Sequence, residues 1–330
     1  PPQAAKRGHY AIDPHPTAAH CLHTSSDTRC IHMCGIAGFL FGQALRYRPE
    51  SVLAAMTTAL RHRGPDGNGA WVDCADGVAL GHRRLAIIDL TESGRQPMRS
   101  HSGRYVITFN GEIYNFPDLR RELELLGTRF NGDSDTEVLL AAFDAWGVND
   151  AIRRTIGMFA FAVWDRESRE LTLGRDRLGK KPIYYGMVAG HLVFGSELKA
   201  LRAFPGLSRT IDRGALTQLM RHSYVPAPRS IYAGIAKLPP ASMVVCRRVR
   251  NDIQVSEPAP YWRVPEQNVG AVVPCGSVTE SLGELERLLS SAVRMRMTAD
   301  VPIGSFLSGG IDSSLVSALM QAQSSRAIKT

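Results

Sequence analysis

The chain has 330 residues, 44% of them hydrophobic, and a formal net charge of +8. That length suits two domains, or one domain with part of another, and no run of about 18 apolar residues is present to span a membrane. The basic excess comes in short groups such as Arg61-His62-Arg63 and Arg247-Arg248 without interleaved aromatics, which argues for solvated surface or local attraction of anionic substrates before nucleic acid.

Six cysteines (Cys21, Cys30, Cys34, Cys74, Cys246, Cys275) form no CxxC pair, so zinc sites and disulfide frameworks are poorly supported and a reducing cytoplasm is expected. Residues 1–32 open with Pro-Pro, carry many histidines and lack the apolar core of a signal peptide. His20, Cys21, His23, Cys30 and His32 match no standard metal spacing. The segment reads as upstream sequence, a disordered leader or a removable propeptide, which makes 1–33 a leader outside the mature protein.

Met33-Cys34-Gly35-Ile36-Ala37-Gly38-Phe39-Leu40 follows, with a buried strand expected over 34–40. If Met33 is removed, Cys34 carries a thiol and a free α-amine together. The amine, with an ordinary pKa of about 7.7–8.0, can take the proton of its own side chain. The alternative is a small buried hydrophobe.

Helical spacing of Val52, Leu53, Met56 and Leu60 predicts a helix over Pro49–Leu60. Arg61-His62-Arg63-Gly64-Pro65-Asp66-Gly67 ends it, and alone reads as a turn with solvated charges. Strands are expected at 69–72, 78–82 and 105–109, helices at Pro117–Leu126 and Asp135–Trp146, and strands at 158–164, 170–173 and 192–194. Without strict βαβ alternation, the pattern implies layered α/β packing of antiparallel sheets.

Three fragments offer chemistry. Beside the apolar run Leu85-Ala86-Ile87-Ile88, an arginine facing inward can hold a carboxylate by two parallel hydrogen bonds, though a surface arginine at a strand end is commoner. Asn110 and the next backbone N–H can form an oxyanion hole, with Gly111 allowing close approach and unusual φ; a plain Asn-Gly turn is the alternative. Asp135 can cap a helix or bind an ammonium group.

Together, Met33-Cys34-Gly35-Ile36, Arg61-His62-Arg63-Gly64-Pro65-Asp66, Arg84-Leu85, Asn110-Gly111-Glu112-Ile113-Tyr114-Asn115 and Ser134-Asp135-Thr136-Glu137 resemble the class II glutamine amidotransferases. The resemblance continues through 157–161 and 174–179. It implies an α/β fold, a four-layer αββα N-terminal-nucleophile glutaminase over 34–246. Cys34 would attack the glutamine amide, giving ammonia and a thioester that water hydrolyses. Asn110 and Gly111 would hold the oxyanion, Arg84 the α-carboxylate with backbone of Leu85 and Ile88 nearby, and Glu112 and Asp135 the α-ammonium. The 174–185 and 196–199 stretches are left as structural.

Prolines at 226, 228, 239, 240, 258, 260, 265 and 274 mark irregular connections. Ser277 with Glu280 predicts a capping box for a helix whose Val278, Leu282, Leu285, Leu288, Leu289 and Val293 read as core packing. Val301-Pro302-Ile303-Gly304-Ser305-Phe306-Leu307-Ser308-Gly309-Gly310-Ile311-Asp312-Ser313-Ser314 reads as strand, Gly-rich anion loop and helix, with Leu315, Val316 and Leu319 inward. Ser308 to Ser314 resembles the pyrophosphate loop of ATP pyrophosphatases, so 247–330 would be a linker and the start of an α/β ATP pyrophosphatase domain.

The combination resembles the glutamine-hydrolysing asparagine synthetase family. It implies ATP with Mg²⁺, and glutamine and aspartate as substrates; a homodimer is compatible. Ser308, Gly309, Gly310, Asp312, Ser313 and Ser314 would hold the phosphates, with Leu307 beside the nucleotide. A class II amidotransferase with another carboxylate acceptor and a silent regulatory module remain as alternatives.

Overall fold

The computed structural model describes residues 33–43, 45–264 and 276–330; the leader reading for 1–32 and its histidines and cysteines lie outside these residues. The chain forms β1 (Gly35–Leu40), α1 (Pro49–Thr58), β2 (Gly67–Asp73), β3 (Val78–Arg84), β4 (Met98–Arg99) and β5 (Tyr105–Ile113). Next come α2 (Phe116–Leu125), α3 (Asp135–Arg154), β6 (Gly157–Asp165), β7 (Glu170–Arg175), β8 (Tyr184–Val188), β9 (His191–Gly195), α4 (Leu198–Arg202) and α5 (Arg213–His222). After β10 (Ile235–Lys237), β11 (Ser242–Val249), β12 (Asp252–Val255) and β13 (Ala259–Pro260), two helices remain, α6 (Val278–Met295) and α7 (Ile311–Ala322).

The strands make two antiparallel sheets, β10-β8-β9-β1-β3-β2 and β12-β11-β7-β6-β5-β4, with β13 beside β11. The sheets face one another: Ile36, Leu40, Val78 and Leu80 of the first pack with Val106, Ala160, Ala162 and Trp164 of the second. Helices α1 and α4 cover the outer face of the first sheet, placing Leu53, Met56 and Leu201 on Ala37, Phe39 and Ala79. Helices α2 and α3 cover the second, with Leu119, Leu139 and Phe143 on Ile107, Phe109 and Phe161. This is the expected αββα sandwich.

The double cover explains the sequence pattern. A strand with layers on both sides hides both sets of alternating residues, so β1 is buried at every position and reads as an unbroken apolar run. In β6 the period of two sorts Phe159, Phe161 and Val163 to the helical side and Ala160, Ala162 and Trp164 to the sheet interface. Truncating one of these aromatics to Ala typically costs about 3–5 kcal/mol.

Five features differ from expectation, and one is that the strand read before the Gly-rich turn, over 301–307, is reduced to a single bridge from Gly304 to Lys329. The helix expected to stop at Trp146 meets Gly147 at φ 75° and resumes beyond it to Arg154. The proline-rich region holds α5 and β10 to β13; β11 runs through Cys246, itself buried, and extends the second sheet. The capping box of α6 forms as expected, but Val278, Leu282, Leu285 and Leu288 are each more than half exposed. Leu315 and Val316 of α7 are exposed as well, with Met320 buried instead. Helix α6 rests on α7, and no further layer of described residues covers these faces, so the stripe is not core packing here.

Candidate active site

Cys34 stands at the N-terminal end of β1, and its carbonyl accepts Nε–H of Arg63 at 2.9 Å. Its Sγ accepts the Leu85 N–H at 3.3 Å and sits 3.5 Å from the Leu85 carbonyl. Burial pushes the thiol above its ordinary pKa, while the Leu85 amide and then the Lys181 ammonium pull it down. A base next to the sulfur is therefore needed to form thiolate near neutral pH.

Arg63 overturns the reading of its loop as solvated charge. It is 5% exposed and its NH1 meets Glu197 at 2.8 Å. Glu197 also contacts His62 and Lys199 at 3.1 and 3.0 Å, and these partners hold its pKa down at about 2 against the opposing effect of burial. Ser196 fixes the adjoining strand residue by accepting the Ile36 N–H at 3.0 Å. The segment 196–199, which carries no chemistry in the sequence, thus anchors the nucleophile's strand. Gly64 lies so close to the next strand that a Cβ would sit 2.4 Å from the Arg83 carbonyl carbon.

Asn110 and Gly111 lie inside β5, paired with Ala160 and Phe159 of β6, so this Asn-Gly is not a turn. Gly111 has no positive φ; what demands glycine is close approach, since a Cβ would fall 2.3 Å from the Met158 carbonyl oxygen. The Asn110 side chain is buried and its Nδ2 has no partner. A buried amide left unpaired costs about 1–3 kcal/mol, and such a cost points to a ligand.

Asp135 does not cap α3: Ser134 does, accepting the Thr136 N–H at 3.2 Å. Asp135 Oδ2 accepts the Ile113 N–H at 2.8 Å. Burial pushes this carboxyl up to about 6, against the Ile113 hydrogen bond and with help from neighbouring Glu112. Burial also raises Glu112, which Lys181 and Arg296 oppose. Arg84 donates to the Thr91 carbonyl at 2.9 Å and to the Asp89 carbonyl, which fixes the planar guanidinium at the rim.

One cavity of about 60 Å³ brings these groups together: Cys34, Arg84, Leu85, Ile88, Asn110, Gly111, Glu112 and Asp135 all line it, with Met33 also in the wall. A roomier hollow of about 470 Å³ beside Tyr105 and Tyr261 contains no cysteine. Both cationic (Arg84, Lys181) and acidic (Glu112, Asp135) side chains line the small cavity, which suits a zwitterion.

Two further wall residues, Gln96 and Lys181, gave no local signal in the sequence. Gln96 Oε1 accepts the Phe109 N–H at 2.6 Å and steadies the strand that presents Asn110. Lys181 is 7% exposed, with Nζ 3.1 Å from Met33 Sδ; burial lowers its pKa. The buried Asp176 places it by accepting the N–H groups of Lys180 and Lys181, both at 2.9 Å. That accounts for the 174–185 stretch.

Leu307, Ser308, Gly309, Gly310, Asp312, Ser313 and Ser314 do not line this cavity. They form an exposed turn, 307–310, and the first turn of α7, with Gly309 at φ 83° and Gly310 at the helix N-cap. Ser308 and Ser313 hydroxyls lie 3.0 Å apart, and Gly304 bridges Lys329 in parallel.

The family model described as glutamine amidotransferase domain matches residues 33–262, and the one described as asparagine synthase matches 284–330. The chain is 36% identical over 290 residues to asparagine synthetase (glutamine-hydrolysing) 3 of Bacillus subtilis, covering 87% of this chain and 45% of that protein. It is 38% identical over 303 residues to a putative asparagine synthetase (glutamine-hydrolysing) of Mycobacterium bovis, covering 87% and 45%. The chain therefore spans about half the length of the curated relatives it matches. Among solved structures, glutamine phosphoribosylpyrophosphate amidotransferase of B. subtilis aligns at a TM-score of 0.52 and 16% identity, over 88% of this chain and 64% of that one, a likeness of fold. The match across residues 33–262, on an αββα sandwich with the cysteine at the head of β1, places this chain in the class II glutamine amidotransferase family.

Proposed function

We propose that the cavity hydrolyses glutamine, on one principal observation: the unpartnered Nδ2 of buried Asn110 lines the same cavity as Cys34 Sγ. The α-carboxylate of glutamine docks on Arg84, and its α-ammonium on Glu112 and Asp135. Cys34 attacks the side-chain amide carbon, and Asn110 Nδ2–H with the Gly111 N–H takes the charge that gathers on oxygen.

The proton of the thiol passes to the Cys34 α-amine, which requires removal of Met33 and everything before it, because an amide nitrogen is no base. Returned to the leaving nitrogen, that proton releases ammonia. Water then attacks the thioester with the amine again as base, giving glutamate and the free thiol.

The Ser308 to Ser314 turn supports ATP as second substrate through its hydroxyls, small residues and helix N-terminus. Its donor set includes one carboxylate, Asp312, in the first turn of α7. That suits a magnesium ion held mainly by the phosphates, which would neutralise their charge. In the full reading, aspartate is adenylated, pyrophosphate leaves, and ammonia displaces AMP to give asparagine.

Intact mass, the N-terminal residue and glutamate release measured on one sample test the glutaminase. A start at Cys34 with release that Cys34→Ala abolishes is expected. Undiminished release from protein still carrying residues before Cys34 would overturn the free-amine mechanism. With aspartate, ATP and magnesium added, asparagine formed in step with pyrophosphate supports the synthetase reading; pyrophosphate only with another carboxylate moves the protein to a different acceptor.

A further inference from the structure

The segment between α6 and the Gly-rich turn touches the loop that walls the glutamine cavity and the residue that follows β5. On one side, the Arg296 guanidinium lies over the Tyr114 ring, 4.4 Å from its centre; Tyr114 follows directly on β5. On the other, Asp300 grips the loop after β3 at two points. Its N–H donates to the Ile87 carbonyl at 2.9 Å, and its Oδ2 accepts the Asp89 N–H at 2.7 Å.

That loop supplies Ile87 and Ile88 to the cavity wall and holds the Arg84 guanidinium on the carbonyls of Asp89 and Thr91. Asp89 adopts φ 53°, a left-handed backbone that residues with a Cβ seldom take without local hydrogen bonds to hold it. It is kept there by ties of independent origin: Arg84 on its carbonyl, Thr91 on its carboxylate at 3.1 Å from the backbone N–H, and Asp300 on its own N–H. Asp300 is the tie that comes from far along the chain, eight residues before Ser308.

We infer that Asp300 is a positioning residue for glutamine: it holds the Ile87–Asp89 loop, and through it Arg84, in the shape that receives the amino-acid end of the substrate. This rests on the glutaminase reading above. The nucleophile and Asn110 stand on β1 and β5 and do not depend on Asp300, so its loss falls on substrate binding rather than on the chemical step.

The test compares Asp300→Ala and Asp300→Asn in the full chain. Asparagine keeps a side-chain oxygen able to accept the Asp89 N–H. Asp300→Ala is expected to raise KM for glutamine about tenfold, the size of one hydrogen bond to a charged group, with kcat within about twofold, and Asp300→Asn to recover most of the loss. Unchanged KM in Asp300→Ala, a fall in kcat alone, or an Asn variant as impaired as Ala would overturn the inference.

Hydrogen exchange of the Asp89 amide reads the same tie without catalysis. Protection lost in Asp300→Ala and kept in Asp300→Asn supports it, and equal exchange in all three proteins overturns it. Should the unaltered protein release no glutamate, the glutaminase reading fails, and this exchange measurement alone decides whether Asp300 holds the loop.

Discussion

Arg63 donates its Nε–H to the carbonyl of Cys34 while NH1 of the same guanidinium binds Glu197. A planar fork with separate donors serves both partners at once, which a lysine ammonium on a flexible stem cannot do with the same geometry. Arg63→Lys is therefore expected to lower stability by about 1.5–3 kcal/mol, the range for a hydrogen bond to a charged group. Equilibrium denaturation checks it; an unchanged midpoint would show that the fork is not needed.

Asn110→Ala removes the unpartnered donor and leaves its backbone pairing with Ala160 intact. A drop in kcat of about 10² to 10³ with little change in KM is expected. Equal losses in binding and turnover would place Asn110 on the ground-state substrate instead.

If glutamine binds as proposed, Asp135 gives its site an acid limb. With its folded pKa up at about 6 through burial, it is neutral below that pH and loses its attraction for an ammonium. KM for glutamine should rise as pH falls through 6, and Asp135→Asn should show a high KM with that limb flattened. The sign for folding is opposite to that of a paired carboxylate: a raised pKa favours the fold below the unfolded value of about 3.9, and that contribution is lost as pH rises through 6. Initial rates at saturating and limiting glutamine between pH 5 and pH 8 read the binding effect.

His82 supplies a different pH dependence. Its Nε2 lies 3.0 Å from the Phe109 carbonyl across the sheet interface, and burial lowers its pKa to about 4. The depressed value means stability is fully present above the unfolded pKa of about 6.5 and is lost as pH falls towards 4. The loss is on the order of 3 kcal/mol. Urea titrations at pH 7 and pH 4.5 should differ by less in His82→Gln, which keeps a donor for Phe109 and cannot titrate.

Local pattern disclosed what is decided locally. The Val52, Leu53, Met56 and Leu60 spacing gave α1, the unbroken run at 35–40 gave β1, and Ser277 with Glu280 gave the start of α6. The proline-rich stretch hid β10 to β12: the three and four residues of β10 and β12 leave too few alternations to show a period, and β10 and the eight-residue β11 take their pairing from distant β8 and β7.

In the cavity, residues embedded in motifs could be found by resemblance, as with Asn110 and Asp135. Lys181 and Gln96 could not. Lys181 arrives there because Asp176 folds the turn before it, and Gln96 because its side chain meets a strand thirteen residues away. Arg63 looked like surface charge since nothing in its own loop foretells Glu197, which lies 134 positions on.

Strand β1 lies between β9 and β3, in the middle of a six-stranded sheet. A chain end is ordinarily the part of a protein that frays first. If cleavage before Cys34 makes a new end here, it is flanked by two ladders of hydrogen bonds and pinned through its carbonyl by Arg63, so its position no longer depends on chain continuity. The peptide bond can be given up and its nitrogen turned into a base without setting the nucleophile adrift.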